Sequence, residues 1–112
     1  MQPLSESTYL VLLALSNEPL HGYGIIKKIE QYSIGDIVLA PGTLYGVLTN
    51  LQKQNLIELV SAEKESRQKK IYRLTGEGHT SFELEYQRFK KMLTISDDIL
   101  KGEEKDENDK EI

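Results

Sequence analysis

The segment from Pro41 to Asn55 limits what this chain can become more than any other. Leu44, Val47, Leu48 and Leu51 fall at i, i+3, i+4 and i+7, the spacing of one apolar stripe along a helix. Pro41 suits the first turn, where its missing N–H is not needed. Asn55 suits a left-handed stop. The opposite face carries Gly42, Thr43, Tyr45, Gly46, Thr49 and Asn50, with Lys53 near its end. A helix that merely faces water more often shows Glu and Lys in i, i+4 pairs. This face has no carboxylate. Small residues let a helix backbone approach a ligand, and Thr and Asn bond to bases or phosphates. A neutral exposed face fits the spacing equally well.

The flanking segments set this helix in an order. Residues 5–16 predict a buried helix with Ser5 or Ser7 as N-cap and Leu10, Val11, Leu13 and Leu15 as apolar surface. Asn17-Glu18-Pro19 ends it. A second helix opens at His21-Gly22-Tyr23 and runs to about Tyr32, with Ile25, Ile26 and Ile29 inward. Ser33–Asp36 is a turn. Ile37–Leu39 reads as an edge strand or an extended lead-in. Ile57–Val60 and Ile71–Leu74 predict two strands, joined by a polar tip over 61–70. Thr75 caps a last helix from about Gly76 to Leu100.

Three helices, a two-stranded ribbon and a further helix make a mainly α chain of winged helix-turn-helix type. In that arrangement the third helix enters a DNA major groove and the ribbon flanks it. The expected division is a winged-helix domain over 1–75, a dimerisation helix over 76–101 and a disordered acidic tail over 102–112.

Charge is distributed to match. The net charge is −4, which argues against a nucleic-acid partner until it is located. Residues 101–112 hold three lysines and six acids, whereas residues 21–75 hold eight basic and five acidic side chains. Five bases and one acid lie between Lys64 and Arg73. Lys64, Arg67 and Lys69 on the ribbon are candidates for phosphate contact, with Arg67 also suited to a minor groove. A charged hairpin that resists edge pairing would look the same. Tyr23, Lys27 and Lys28 on the second helix are candidate backbone contacts, or ordinary surface groups.

Other chemistry finds little support. With no cysteine in 112 residues, disulfides, zinc-thiolate sites and thiol nucleophiles are excluded. His21 and His79 are the only histidines. They lack metal-ligand spacing and a Ser/Asp partnership, and His21 fits a structural hydrogen bond. Gly22-x-Gly24 follows no predicted strand and lacks the further glycine, so it does not read as a dinucleotide loop. No enzyme activity, cofactor or metal is expected. Without an apolar run near 20 residues or a signal peptide, the expected location is the cytoplasm. Glu83 and Glu85 read as solubilising charge.

The last helix has more apolar surface than so small a domain can cover. Phe82, Tyr86, Phe89, Met92, Leu93, Ile99 and Leu100 call for a partner, most simply a second copy related by a two-fold. The alternative is a fourth core helix folded back. Tyr9, Leu13 and Phe89 could line an apolar cleft for a small aromatic effector, or serve as plain core.

His21-Gly22-Tyr23-Gly24, Pro41-Gly42-Thr43-Leu44-Tyr45, Leu56-Ile57 and Tyr72-Arg73-Leu74-Thr75-x-x-Gly78 together resemble the PadR family of bacterial transcriptional regulators. The resemblance spans about residues 8–80. The single helix after the ribbon resembles the small PadR subgroup. It implies a homodimer with exchanged C-terminal helices, a repressor role, inverted-repeat operators, and effectors that are often planar and aromatic. Three positions depart from the family pattern. Asn55 replaces a common Gly, Ser66-Arg67-Gln68-Lys69 replaces a Gly-Arg-Arg-like run, and Phe89 stands where some members have tryptophan. The rival expectation is a winged-helix module for protein–protein contact.

Overall fold

The computed structural model describes residues 4–62 and 70–110, with side chains described for 4–60 and 70–102. The chain order is α1 (Glu6–Leu15), β1 (Leu20–His21), α2 (Gly22–Tyr32), α3 (Pro41–Lys53), β2 (Ile57–Ala62), β3 (Lys70–Leu74) and α4 (Gly76–Lys110).

Local chemistry sets the helix ends. Ser5 caps α1 by accepting from the Thr8 N–H at 3.1 Å. His21 caps α2 through Nδ1, which accepts from the Gly24 N–H at 2.9 Å, a structural role as expected. Pro41 opens α3, and Asn55 takes the left-handed conformation after it, φ 60°. Thr75 closes two ends at once. Its Oγ1 accepts from the Gly78 N–H at 3.0 Å and donates to the Asn55 carbonyl at 2.7 Å.

Val11, Leu12, Ile25, Ile29, Leu44, Leu48, Leu51 and Ile57 form a core without solvent access, closed by Tyr72 and Leu74. The α3 stripe is thus inward, although Val47, like Ile26 on α2, is only partly buried against the core. The sheet has three antiparallel strands, ordered β1-β3-β2. Two were expected. Leu20 and His21 add the third by pairing with Tyr72 and Ile71. Ile37–Leu39 belongs to no strand; it is the extended lead-in, with Leu39 buried and Val38 exposed.

The fold spans 73 × 29 × 21 Å, and its long axis reflects α4. This helix packs on α1 and β3 near its start and is exposed from residue 89 to residue 102. It does not fold back as a fourth core helix. It also continues to Lys110, past the end expected near Leu100. Glu and Lys propagate a helix well. The side chains of residues 103–112, expected as an acidic tail, lie outside the described residues.

Glu85 corrects an expectation. It is not a solubilising surface acid: only 4% of it is exposed. Its Oε2 accepts the Leu4 N–H at 2.6 Å, and its Oε1 accepts from Arg88 Nε. The Arg88 hydrogen bond holds its carboxyl below the usual carboxylate range, helped by the Leu4 amide and opposed by burial. A lowered folded value means that Glu85 stabilises the fold above its ordinary value near 4.5. That contribution is lost as pH falls through the folded value. Acid unfolding followed by circular dichroism is therefore expected to be less steep in Glu85→Gln. An unchanged profile would remove Glu85 as its source.

Candidate nucleic-acid interface

Burying Leu44, Leu48 and Leu51 turns the other side of α3 to solvent. Gly42, Thr43, Tyr45, Gly46, Thr49, Asn50 and Lys53 are all exposed, with Tyr45 at 55%. No acidic residue lies anywhere on α3. An alanine Cβ at Gly42 or Gly46 would meet nothing within 4 Å. Neither glycine is needed for packing against the described residues of its own chain. Both lower the helix surface toward whatever it faces.

Two details refine the face. Thr49 Oγ1 donates to the Tyr45 carbonyl at 2.8 Å, so its proton is engaged and its lone pairs remain as acceptors. Tyr45 leans toward α2: a Cβ on Gly22 would lie 3.2 Å from the Tyr45 hydroxyl. Gly22 lets the two helices cross closely, which gives the first glycine of the His-Gly-Tyr-Gly run a physical reason.

The α2 candidates differ in freedom. Tyr23 is exposed, with Lys27 Nζ 5.4 Å from its ring centre. Lys27 lies 4.0 Å from Glu30. Lys28 pairs with Glu18 at 3.2 Å, which draws its charge toward the loop before β1. Lys64, Arg67 and Lys69 lie outside the described residues. Lys70, at the start of β3, is exposed. Sequence reasoning placed it on the basic tip without singling it out.

On α4, Tyr86, Phe89, Met92, Leu93, Ile99 and Leu100 are exposed, Leu93 at 63%. Leu84 and Ile95 are exposed with them and were missed, because they fall beside the stripe. Phe82 differs from the rest of the expected contact set. It is half-buried against its own core and stacks on Tyr9 with ring centres 5.4 Å apart. Tyr9 meets Phe89 edge-on at 4.8 Å. Leu13, one turn along α1, is half-buried. Burial, then Tyr86 and Glu85, push the Tyr9 phenol above its ordinary value.

An exposed, acid-free third helix beside a β-ribbon defines a protein of the winged helix-turn-helix class. The chain belongs to the PadR-like family of transcriptional regulators, whose model matches residues 11–84. It is 38% identical over 73 residues to the transcriptional regulator YqjI of Escherichia coli, a match covering 65% of this chain and 34% of that protein. It is 42% identical over 65 residues to an uncharacterized 37.1 kDa protein of a Streptomyces fradiae transposon, covering 58% of this chain and 18% of that one. The match thus spans about a third of one of these curated relatives and under a fifth of the other.

Solved structures agree on the fold. A PadR family regulator from Clostridium difficile superposes with TM-score 0.71 at 24% identity, over 86% of this chain and 99% of that one. A PadR-like transcription factor from Bacteroides fragilis gives TM-score 0.71 at 26% identity, over 82% and 87%. Among the described residues no helix is long and apolar enough to cross a membrane.

Proposed function

We propose that this chain acts as a homodimeric repressor that binds an inverted-repeat operator and is released by a small aromatic effector. Residues 1–75 read DNA and residues 76–101 join two copies. The observation that bears most weight is the solvent-facing, acid-free surface of α3. Gly42, Gly46, Thr49 and Asn50 meet the major groove, with Thr43, Tyr45 and Lys53 at its rim. Tyr23, Lys27, Lys64, Arg67 and Lys69 add backbone contacts. Lys28 contributes least, given its pairing with Glu18.

The uncovered apolar stripe of α4 supports the dimer, because a second copy would hide it and match a two-fold site. The edge-on pair of Tyr9 and Phe89 supports an aromatic ligand, with Leu13 beside it.

The test is a titration of labelled DNA from upstream of the gene at several salt concentrations. Tight, salt-sensitive binding is expected, with a log–log slope of about −0.9 per phosphate contacted. Arg67→Ala or Lys69→Ala should each reduce that slope by about one. Light scattering at micromolar concentration should give a dimer. A monomer, or binding to a protein partner with no affinity for DNA, would overturn the reading.

A further inference from the structure

Between α3 and β3 lies a cleft of about 340 Å³, lined by Gly22, Tyr45, Leu48, Thr49, Gln52, Lys70 and Tyr72. Tyr45, Thr49 and Gln52 stand at i, i+4 and i+7, so they form one ridge along the flank of α3 that faces the ribbon. Lys70 stands on the opposite wall. Among the described residues no acidic one is in the lining, although three other cations of the domain, Lys27, Lys28 and Arg73, each sit beside a glutamate. Tyr45 Oη–H, the Gln52 amide and the Lys70 ammonium are hydrogen-bond donors that can converge here. Tyr72 forms the floor. Burial, then Tyr45, push its phenol above the ordinary value, so it stays neutral.

We propose that this cleft seats one phosphodiester of bound DNA, with Tyr45, Gln52 and Lys70 as its donors. The inference rests on the DNA-binding reading above. When α3 lies in a major groove and the ribbon lies over the neighbouring minor groove, one sugar–phosphate strand separates the two grooves. That strand passes between α3 and β3, over the cleft. A phosphate there carries no sequence information; it fixes how deep and at what angle α3 enters.

Gln52 and Lys70 are exposed, so substitutions there leave the core intact. Fluorescence anisotropy with the upstream fragment, and with a scrambled duplex of equal length, compares wild type, Lys70→Ala, Gln52→Ala and Gln52→Glu. Lys70→Ala should weaken binding to both duplexes by similar factors and lower the salt slope by about one. Gln52→Ala should weaken both duplexes several-fold, and Gln52→Glu by more than tenfold. Replacing single phosphates by methylphosphonates should find one position per half-site where the Lys70→Ala loss disappears. If wild type binds and these variants bind alike with the same slope, the cleft holds no phosphate and the α3 reading stands. If wild type fails to bind either duplex, both fall.

Discussion

Replacing Gly78 by alanine is expected to destabilise the protein by about 3 kcal/mol or more. A Cβ at Gly78 would lie 1.9 Å from the Leu56 carbonyl oxygen. That oxygen belongs to backbone, not to a side chain that can turn away. It already accepts the Thr75 N–H at 3.0 Å. Moving it would pull the start of β2 from the start of α4 and break the Thr75 contact to Asn55. Thermal unfolding should show a fall in Tm on the order of 10 °C. Gly76→Ala is the control, because a Cβ there meets nothing within 4 Å; its Tm should hold or rise. If Gly78→Ala melts like wild type, the close seat of α4 on Leu56 is wrong.

Gly46 is expected to separate stability from DNA binding. Glycine inside a helix costs about 1 kcal/mol relative to alanine, and none of the described residues fills the space above Gly46. Gly46→Ala should therefore raise stability by up to about 1 kcal/mol while weakening DNA binding. Gly46→Glu should keep the fold, since Glu is also a better helix former than glycine. It would set a carboxylate against phosphates, and like charges at an interface cost several kcal/mol. A loss of affinity of about 100-fold or more is the expected result. Circular dichroism with the anisotropy titration separates the two effects. Undiminished binding by a folded Gly46→Glu protein would remove α3 from the interface.

The parts of the fold legible in sequence were those with their own period or cap. The α3 stripe, the Pro41 start, the left-handed Asn55 and the Thr75 cap each signal locally, and the structure places them as expected. Leu20–His21 did not signal, because two residues have no period. They are a strand only because β3 offers an edge. Glu85 was unreadable for a related reason. A carboxylate on a charged helix looks solvated until its partner is known, and Leu4 lies 81 positions away in sequence.

The candidate interface divides in the same way. The α3 face was readable because helical spacing fixes which residues share a side. Gln52 and Lys70 were not, because their pairing exists only once the ribbon closes beside α3. Phe82 was assigned outward by its spacing. It turns partly inward because Tyr9 supplies a ring to stack on.

The seat of α4 on Leu56 leaves no slack for a pivot. Thr75 and Gly78 clamp the helix to the body that carries α3, so the two swing as one stiff lever. At 35 residues the lever is about 50 Å long. A tilt of a few degrees at its far end sweeps the reading head through several ångströms. In the dimer proposed above, the crossing angle of two such levers would work as a ruler for the gap between the two heads. A wedge driven into that crossing would reset the ruler without touching any atom that faces DNA.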